Sequence, residues 1–152
     1  MIKKTITYVD YNGEERTDDF WFNLSEAELA EMEVSVHGGY LEMIMRIVKA
    51  KDIPEIAKVF KQLLIRSYGE RSADGASFYK IDASGNPLWR NLVSSAAYSK
   101  LYLELSSDED KAAEFVNGVM PPVDEDKRRE AQKQIESELS GNTVVPIDAA
   151  KD

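Results

Sequence analysis

Apolar and polar residues alternate at the start of the chain, as they do in a half-buried β-strand. One β-rich run has Ile2, Ile6 and Tyr8 at alternating positions, and a second run ends in the aromatic triplet of residues 20–22. Asn12 and Gly13 lie between the two runs and accept the positive φ angles of a type I′ turn. The pattern predicts a hairpin over residues 2–22, with one face packed on helices because an isolated hairpin is marginally stable.

After the hairpin, apolar residues recur three and four positions apart, as in amphipathic helices. Ser25 and Glu28 match the S-x-x-E capping box, so a helix is predicted to begin at Ser25. Gly38 and Gly39 are interpreted as the joint that ends this helix and begins the next one. His37 is expected in the last turn of the first helix, where its ring can donate a hydrogen bond to the exposed carbonyl groups.

Further helices follow from the same periodicity. The clearest one has Asp52 as N-cap, Pro54 in its first turn and Gly69 as its stop signal. Residues 69–87 are rich in Gly, Ser, Asp and Asn and are interpreted as a loop, in which the short patch "FYKI" could be an extended piece or half a hairpin. The other predicted helices begin at Tyr40, near Leu88, near Ser94 or Ser95, and at Ser107, and the last of them stops at Gly118.

The pattern as a whole indicates an α+β, mainly α-helical fold. An N-terminal β-hairpin is expected to pack on a bundle of about five to six short helices, followed by a polar C-terminal tail. Residues 1–122 are expected to form one domain, with the hairpin in 2–22 and the helices within 25–118. Residues 123–152 are highly charged and are expected to be partly helical or disordered.

Composition excludes several classes of site and partner. The 152 residues include no cysteine and one histidine, which leaves no disulfide, thiolate or His-rich metal site, and no cofactor is expected. The net charge of −9 argues against nucleic acid as a partner. Because no apolar run reaches the ~20 residues that span a bilayer, no membrane partner is expected.

His37 directly precedes the glycine pair, as the histidine of a hydrolase oxyanion loop does. That chemistry would also need a G-x-S-x-G nucleophile elbow, and the sequence has none. A Ser-His-Asp arrangement formed only in space stays open from the sequence. Asp108, Glu109 and Asp110 lack the glycine and distal glutamate of an EF-hand loop and are better explained as helix-capping acids. No enzymatic activity is expected.

The stretches "FWF", "YLEMIM" and "LYLEL" hold more large apolar side chains than a one-sided helix stripe needs. One interpretation is a well-filled core. The other is a contact surface for another polypeptide, to which Met and aromatic side chains are well suited. The sequence favours neither interpretation over the other, because only exposure separates them.

Four consecutive blocks of the chain form a recognisable series: "KKTITYVDYNGEERTDDFWFNLSEAELAEME", "GGYLEMIMRIVKAKD", "FKQLLIRSYGERSADGASF" and "YSKLYLELSSDEDKAAEFVNGVMP". In order and spacing these blocks resemble the tail assembly chaperones of long-tailed phages and prophages of Gram-positive bacteria. The resemblance spans about residues 3–121, and the segment 80–93 departs from the family's more charged, helical pattern.

The resemblance implies a non-enzymatic role in the cytoplasm of the bacterial host. Such chaperones coat the tape measure protein before the tail tube polymerises around it, and they are absent from the mature virion. In many phages a ribosomal frameshift yields a longer form that recruits tail tube protein, and the corresponding junction would fall in the tail from Val123. The expected partners are therefore tape measure protein, tail tube protein through such a form, and further copies of the chain itself.

In physical terms, the hypothesis is that an apolar groove on the helices binds amphipathic helices of the tape measure protein. The acidic exterior of the chaperone then keeps the complex in solution. Most candidate residues have a competing place in the core. Two other functions stay open: a small acidic inhibitor of a host protein that mimics DNA, and a hydrolase that uses His37. The expected partner-binding residues are Trp21, Tyr40, Leu41, Met43, Ile44, Met45 and Tyr102.

Overall fold

The chain begins with the predicted β-hairpin. In the computed structural model, which describes residues 1–121 except the side chains of Met45 and Val48, strand β1 (Ile2–Val9) pairs antiparallel with strand β2 (Glu15–Phe22). Alternate side chains enter the core, and Phe22 is fully buried. The prediction of a hairpin with one packed face is confirmed.

The turn of this hairpin is not the predicted type I′ turn. The Gly13 N–H donates to the Asp10 carbonyl oxygen at 3.0 Å, and Gly13 alone has a positive φ in this turn, of 81°. The Asp10 carboxylate accepts from the N–H groups of Asn12 at 2.8 Å and Glu14 at 3.0 Å. These bonds stabilise a tight turn closed by one left-handed glycine, whereas type I′ requires two left-handed residues.

Six helices and two further strands follow in the described residues, which confirms the α+β, mainly helical fold. The predicted capping box is present: the Ser25 hydroxyl accepts from Glu28 N–H, and the Glu28 carboxylate accepts from Ser25 N–H. Asp52 and Ser95 are N-caps, as predicted. In chain order the elements are α1 (Glu26–Ser35), α2 (Tyr40–Lys49), α3 (Ile53–Ser67), β3 (Tyr68–Arg71), β4 (Phe78–Tyr79), α4 (Trp89–Ser94), α5 (Ala96–Ser107) and α6 (Glu109–Val119).

The prediction of a loop over residues 69–87 was wrong in part. Strands β3 and β4 extend the hairpin into a four-stranded antiparallel sheet of order β1-β2-β3-β4. A bridge between Ile81 and Pro87 then closes a second small hairpin, whose Asp82 carboxylate accepts from the N–H groups of Ser84 and Asn86 at 2.9 Å. The Gly, Ser and Asp residues of this segment form the turns between short strands.

Two glycines predicted as helix stops have a different role. Gly69 lies in β3, and a Cβ atom there would be 2.5 Å from the Tyr79 carbonyl oxygen, so Gly69 allows β4 to approach. Gly118 lies inside α6, which continues to Val119. A Cβ atom on residue 118 would be 3.0 Å from Ile2 Cβ, so this glycine allows α6 to lie against β1.

Two predicted helix ends are shifted. Helix α1 ends at Ser35, so exposed His37 lies in the connection to α2 and not in the last turn of α1. Helix α5 includes Ser107, and Asp108 is the N-cap of α6, where its carboxylate accepts from two backbone N–H groups. The interpretation of Asp108 as a capping acid is confirmed.

The core lies between the inner face of the sheet and the helices. The most deeply buried residues include Phe22, Leu63, Leu101 and Phe115, and Phe22 and Phe115 meet edge to face with ring centroids 5.2 Å apart. Ile53, the first residue of α3, lies outside this core and is 70% exposed. Within residues 1–121, no helix is long and apolar enough to cross a membrane.

Residues 1–121 form one compact unit. The predicted boundary after residue 122 stays a prediction, and the expected charged tail at 123–152 lies outside the described residues.

Candidate partner-binding surface

The residues predicted to bind a partner do not share one surface. Tyr40 and Ile44 are in the core, at 6% and 8% exposure, whereas Leu41, Met43 and Tyr102 are half-buried. Trp21 is also half-buried, and the side chain of Met45 lies outside the described part of the structure. The role of these residues in binding stays a prediction.

Trp21 lies on the outer face of the sheet. It alternates along β2 with Phe20 and Phe22, whose side chains enter the core, so its ring points to the opposite face. The Arg71 guanidinium is 4.8 Å from the ring centroid and the Lys3 ammonium is 5.8 Å from it. The sheet thus separates this cation-flanked indole from core residue Tyr40.

Tyr40 opens helix α2 and is buried without a partner for its hydroxyl group. Among the described residues, this hydroxyl is the one buried side-chain polar atom that lacks a hydrogen bond. Burial raises the pKa of Tyr40 above its usual value, and the nearby positive charge of Arg66 opposes that rise. A buried polar group without a hydrogen bond costs about 1–3 kcal/mol.

Left-handed residues flank α2 on both sides. Gly38 and Gly39 precede it with φ of 85° and 93°, and Lys51 follows it with φ of 52°. The Glu33 carboxylate of α1 accepts from Leu41 N–H at 3.0 Å, where a negative charge also favours the helix dipole. A Cβ atom on residue 39 would lie 2.5 Å from Glu33 Oε2 and would displace this carboxylate, and the φ of 93° is itself strained for any other residue.

A first cleft, of about 400 Å³, lies between β1 and α5. Val9 and Leu103 line it and are 58% and 64% exposed. The Lys100 ammonium, also part of the wall, donates to the carbonyl oxygen of Thr7 on β1. The sequence predictions missed this cleft, because Val9 and Leu103 come from distant elements and their exposure depends on how the elements pack.

A second cleft, of about 290 Å³, has both apolar and charged walls. Trp89 and Ile81 line it, and they are 36% and 57% exposed. Lys80, also in its wall, donates to Asn23 O at 2.7 Å and Arg66 O at 2.5 Å.

The Lys80 ammonium also lies 3.3 Å from Glu28 Oε1. Burial lowers the pKa of Lys80, and the Glu28 carboxylate opposes that shift. Lys80 therefore joins the start of α1 to the end of α3. No sequence motif indicates this role, because its acceptors are mostly backbone carbonyls.

The described residues offer two clefts with exposed apolar side chains as contact surfaces. Residues 1–121 contain no cluster of three or more acidic or histidine side chains able to hold a metal ion. A family model described as phage tail assembly chaperone matches residues 1–149. The chain belongs to the phage tail assembly chaperone family. No curated protein and no solved structure matches it.

Membership in this family agrees with the resemblance found in the sequence and extends it across almost the whole chain. The chaperone thus acts in phage tail assembly, through protein partners. Families of this kind are generally non-enzymatic. The exposed apolar residues in both clefts are the features of the described structure that suit protein contacts.

Proposed function

We propose that this phage tail assembly chaperone binds the tape measure protein in the cytoplasm of the bacterial host and keeps it in solution until the tail tube forms around it. The family match over residues 1–149 carries this proposal. The two clefts with exposed apolar walls support it, since amphipathic helices need such surfaces. In this proposal the chaperone is not an enzyme and does not remain in the mature virion.

Co-expression with the tape measure protein of the same phage tests the proposal. We expect a complex that survives size-exclusion chromatography, and a larger amount of tape measure protein in the supernatant than without the chaperone. Tape measure protein that stays insoluble and unbound in the presence of the folded chaperone would refute the proposal.

Two of the predicted contact residues are exposed enough to test by substitution. Trp21 and Tyr102 are both accessible in part, so their replacement tests binding, and Tyr102 also packs against the core. We expect Trp21→Ala or Tyr102→Ala to weaken tape measure binding about tenfold, which corresponds to the loss of one contact of 1.4 kcal/mol. Lys61→Ala, at an exposed position of α3, is the matched control and should bind normally.

Recruitment of tail tube protein is a further part of the proposal. It requires the longer frameshifted form, which mass spectrometry of the phage-producing host would detect as peptides that join the tail after Val123 to a second reading frame. Pull-down of tube subunits by the longer form, and not by the chain of 152 residues, is the expected result. Equal pull-down by both forms would contradict a role of the extension.

The acidic DNA-mimic alternative has less support. Such inhibitors need a continuous acidic face, whereas several acids here pair with cations. The pairs include Lys3 with Asp19 at 3.6 Å and Lys111 with Glu104 at 3.0 Å.

A further inference from the structure

Helix α2 combines several features that destabilise its docked position. Its first residue, Tyr40, buries a hydroxyl group that has no hydrogen bond. Lys51, in the connection between α2 and α3, adopts a left-handed conformation. Each feature penalises the arrangement in which α2 lies on the protein. The left-handed region is unfavourable for a residue with a Cβ atom, and water satisfies a tyrosine hydroxyl once the residue is exposed.

We propose that α2 is a displaceable cover: in the free chaperone it occupies the apolar surface of α1 and α3 on which an amphipathic helix of the client binds. The inference rests on the proposed function, since the client is the protein that the chaperone holds. Helix α2 packs against both α1 and α3, and Tyr40 and Ile44 belong to the same buried cluster as Met32 of α1 and Leu64 of α3.

The occupant of this surface is an amphipathic helix because α2 is one itself. Tyr40, Met43, Ile44 and Ile47 follow the spacing i, i+3, i+4, i+7 and are buried or half-buried. The opposite side of α2 is charged and exposed, at Glu42, Arg46 and Lys49. A client helix with the same apolar spacing fills the same surface and leaves its polar side in water.

The connections on each side of α2 can act as hinges. Gly38 and Gly39 tolerate a wide range of φ and ψ, so rotation there carries no steric penalty. Lys51 relaxes to an ordinary conformation when α2 lifts. The bond between Glu33 and Leu41 N–H holds the N-terminal end of α2, and it breaks in the same movement.

Hydrogen exchange of the 152-residue chaperone tests the displacement directly. In the free protein, the amides of Ile44–Lys49 should exchange through a local opening, with lower protection than the amides of β1 and β2. On addition of the tape measure protein of the same phage, these α2 amides should lose protection further, although a fixed binding site would gain it. Unchanged or increased protection of α2 in the complex overturns the inference.

Tyr40→Phe is the decisive variant, because it removes the hydroxyl that lacks a partner and leaves the packing intact. We expect the hydrogen-exchange protection factors of the Ile44–Lys49 amides to rise about tenfold, which is 1.4 kcal/mol. The ratio of the protection factors of β1 and β2 should not change. Because a smaller population of the binding-competent state reduces the apparent affinity by the same factor, tape measure binding should weaken about tenfold.

Two further variants make the test specific. Lys51→Asn should act in the same direction by a few-fold, since Asn adopts the left-handed conformation more readily than Lys does. Tyr68→Phe removes a hydroxyl from another core tyrosine, outside α2, and should leave both the α2 protection and the affinity unchanged.

The outcomes separate the inference from the proposed function. If the wild-type chaperone binds tape measure protein and Tyr40→Phe binds it equally well, the displaceable cover is overturned and the proposed function stays in place. Wild-type chaperone that does not bind tape measure protein overturns the proposed function, and with it the client that this inference assigns to α2.

Discussion

Gly118 of α6 lies directly against Ile2 of β1. A Cβ atom at residue 118 would be 3.0 Å from Ile2 Cβ and 2.8 Å from Ile2 Cδ1. The Cδ1 atom can rotate away, but Ile2 Cβ is fixed to its strand. The N-terminal strand and the last described helix therefore meet at a point where only glycine fits without a shift of the backbone.

Replacement of Gly118 by alanine should lower the free energy of unfolding by about 1–3 kcal/mol, since the added methyl group overpacks the contact with Ile2. Urea denaturation monitored by circular dichroism measures this change. In an Ile2→Gly background, which lacks the Cβ atom at residue 2, the same replacement should instead stabilise the protein by up to about 1 kcal/mol, because alanine favours the helix. A destabilisation of equal size in both backgrounds would contradict the contact.

Lys80→Met should lower the free energy of unfolding by about 2–4 kcal/mol. The change leaves the carbonyl groups of Asn23 and Arg66 without their donor and the Glu28 carboxylate without its cation. Lys61→Met, at an exposed position of α3, is the control and should change stability by less than about 0.5 kcal/mol. Similar losses for both variants would mean that the Lys80 hydrogen bonds add no stability.

Stability should fall at alkaline pH through the buried tyrosines. Burial raises the pKa of Tyr40 and of Tyr68 above the usual 10.0. Above pH 10 the unfolded chain therefore loses these protons first, so the free energy of unfolding falls as pH rises from 10.0 through the raised pKa. Urea titrations at pH 8 and pH 11 measure this decline.

The matched comparison for the pH effect is Tyr40→Phe. This variant cannot ionise at residue 40, so its stability should decline less between pH 8 and pH 11 than that of the wild type. Lys80, whose pKa is lowered by burial, has the opposite pH dependence but is present in both proteins, and the difference between them isolates Tyr40. Identical declines would contradict a raised pKa for Tyr40.

Glu33→Ala should destabilise the docked position of α2 by about 1 kcal/mol, since it removes the carboxylate that accepts from Leu41 N–H. Hydrogen exchange should record this as a several-fold loss of protection confined to α2. Glu31→Ala removes an exposed acid from the same helix and should leave α2 unchanged. If both variants reduce protection equally, the cause is net charge and not the cap.

The predictions that succeeded rest on interactions between residues close in the chain. The Ser25–Glu28 capping box and the Asp52 and Ser95 caps involve side chains within three residues of their backbone partners. Such bonds form wherever the helix forms, so the sequence alone identifies them. The hairpin was found for the same reason, because its strands are joined by a short turn.

The predictions that failed depend on contacts between distant elements. Gly69 and Gly118 have the residue type expected after a helix, but β4 and Ile2 require them for close approach. Strands β3 and β4 are too short to produce a periodic pattern, and β3 is specified by its pairing with Trp21 and Phe22. Tyr40 and Ile44, two of the predicted contact residues, lie in the core with residues of α1 and α3, and their role in binding stays a prediction.

The hydrogen bond from Lys100 to the Thr7 carbonyl oxygen protects an edge of the sheet. Strand β1 is at the end of the sheet, where a strand from a neighbouring molecule could add to it. To pair there, the incoming strand would have to displace the Lys100 ammonium group, which already donates a hydrogen bond to the Thr7 carbonyl oxygen. This bond therefore opposes the addition of a strand from a second copy of the chain at the β1 edge.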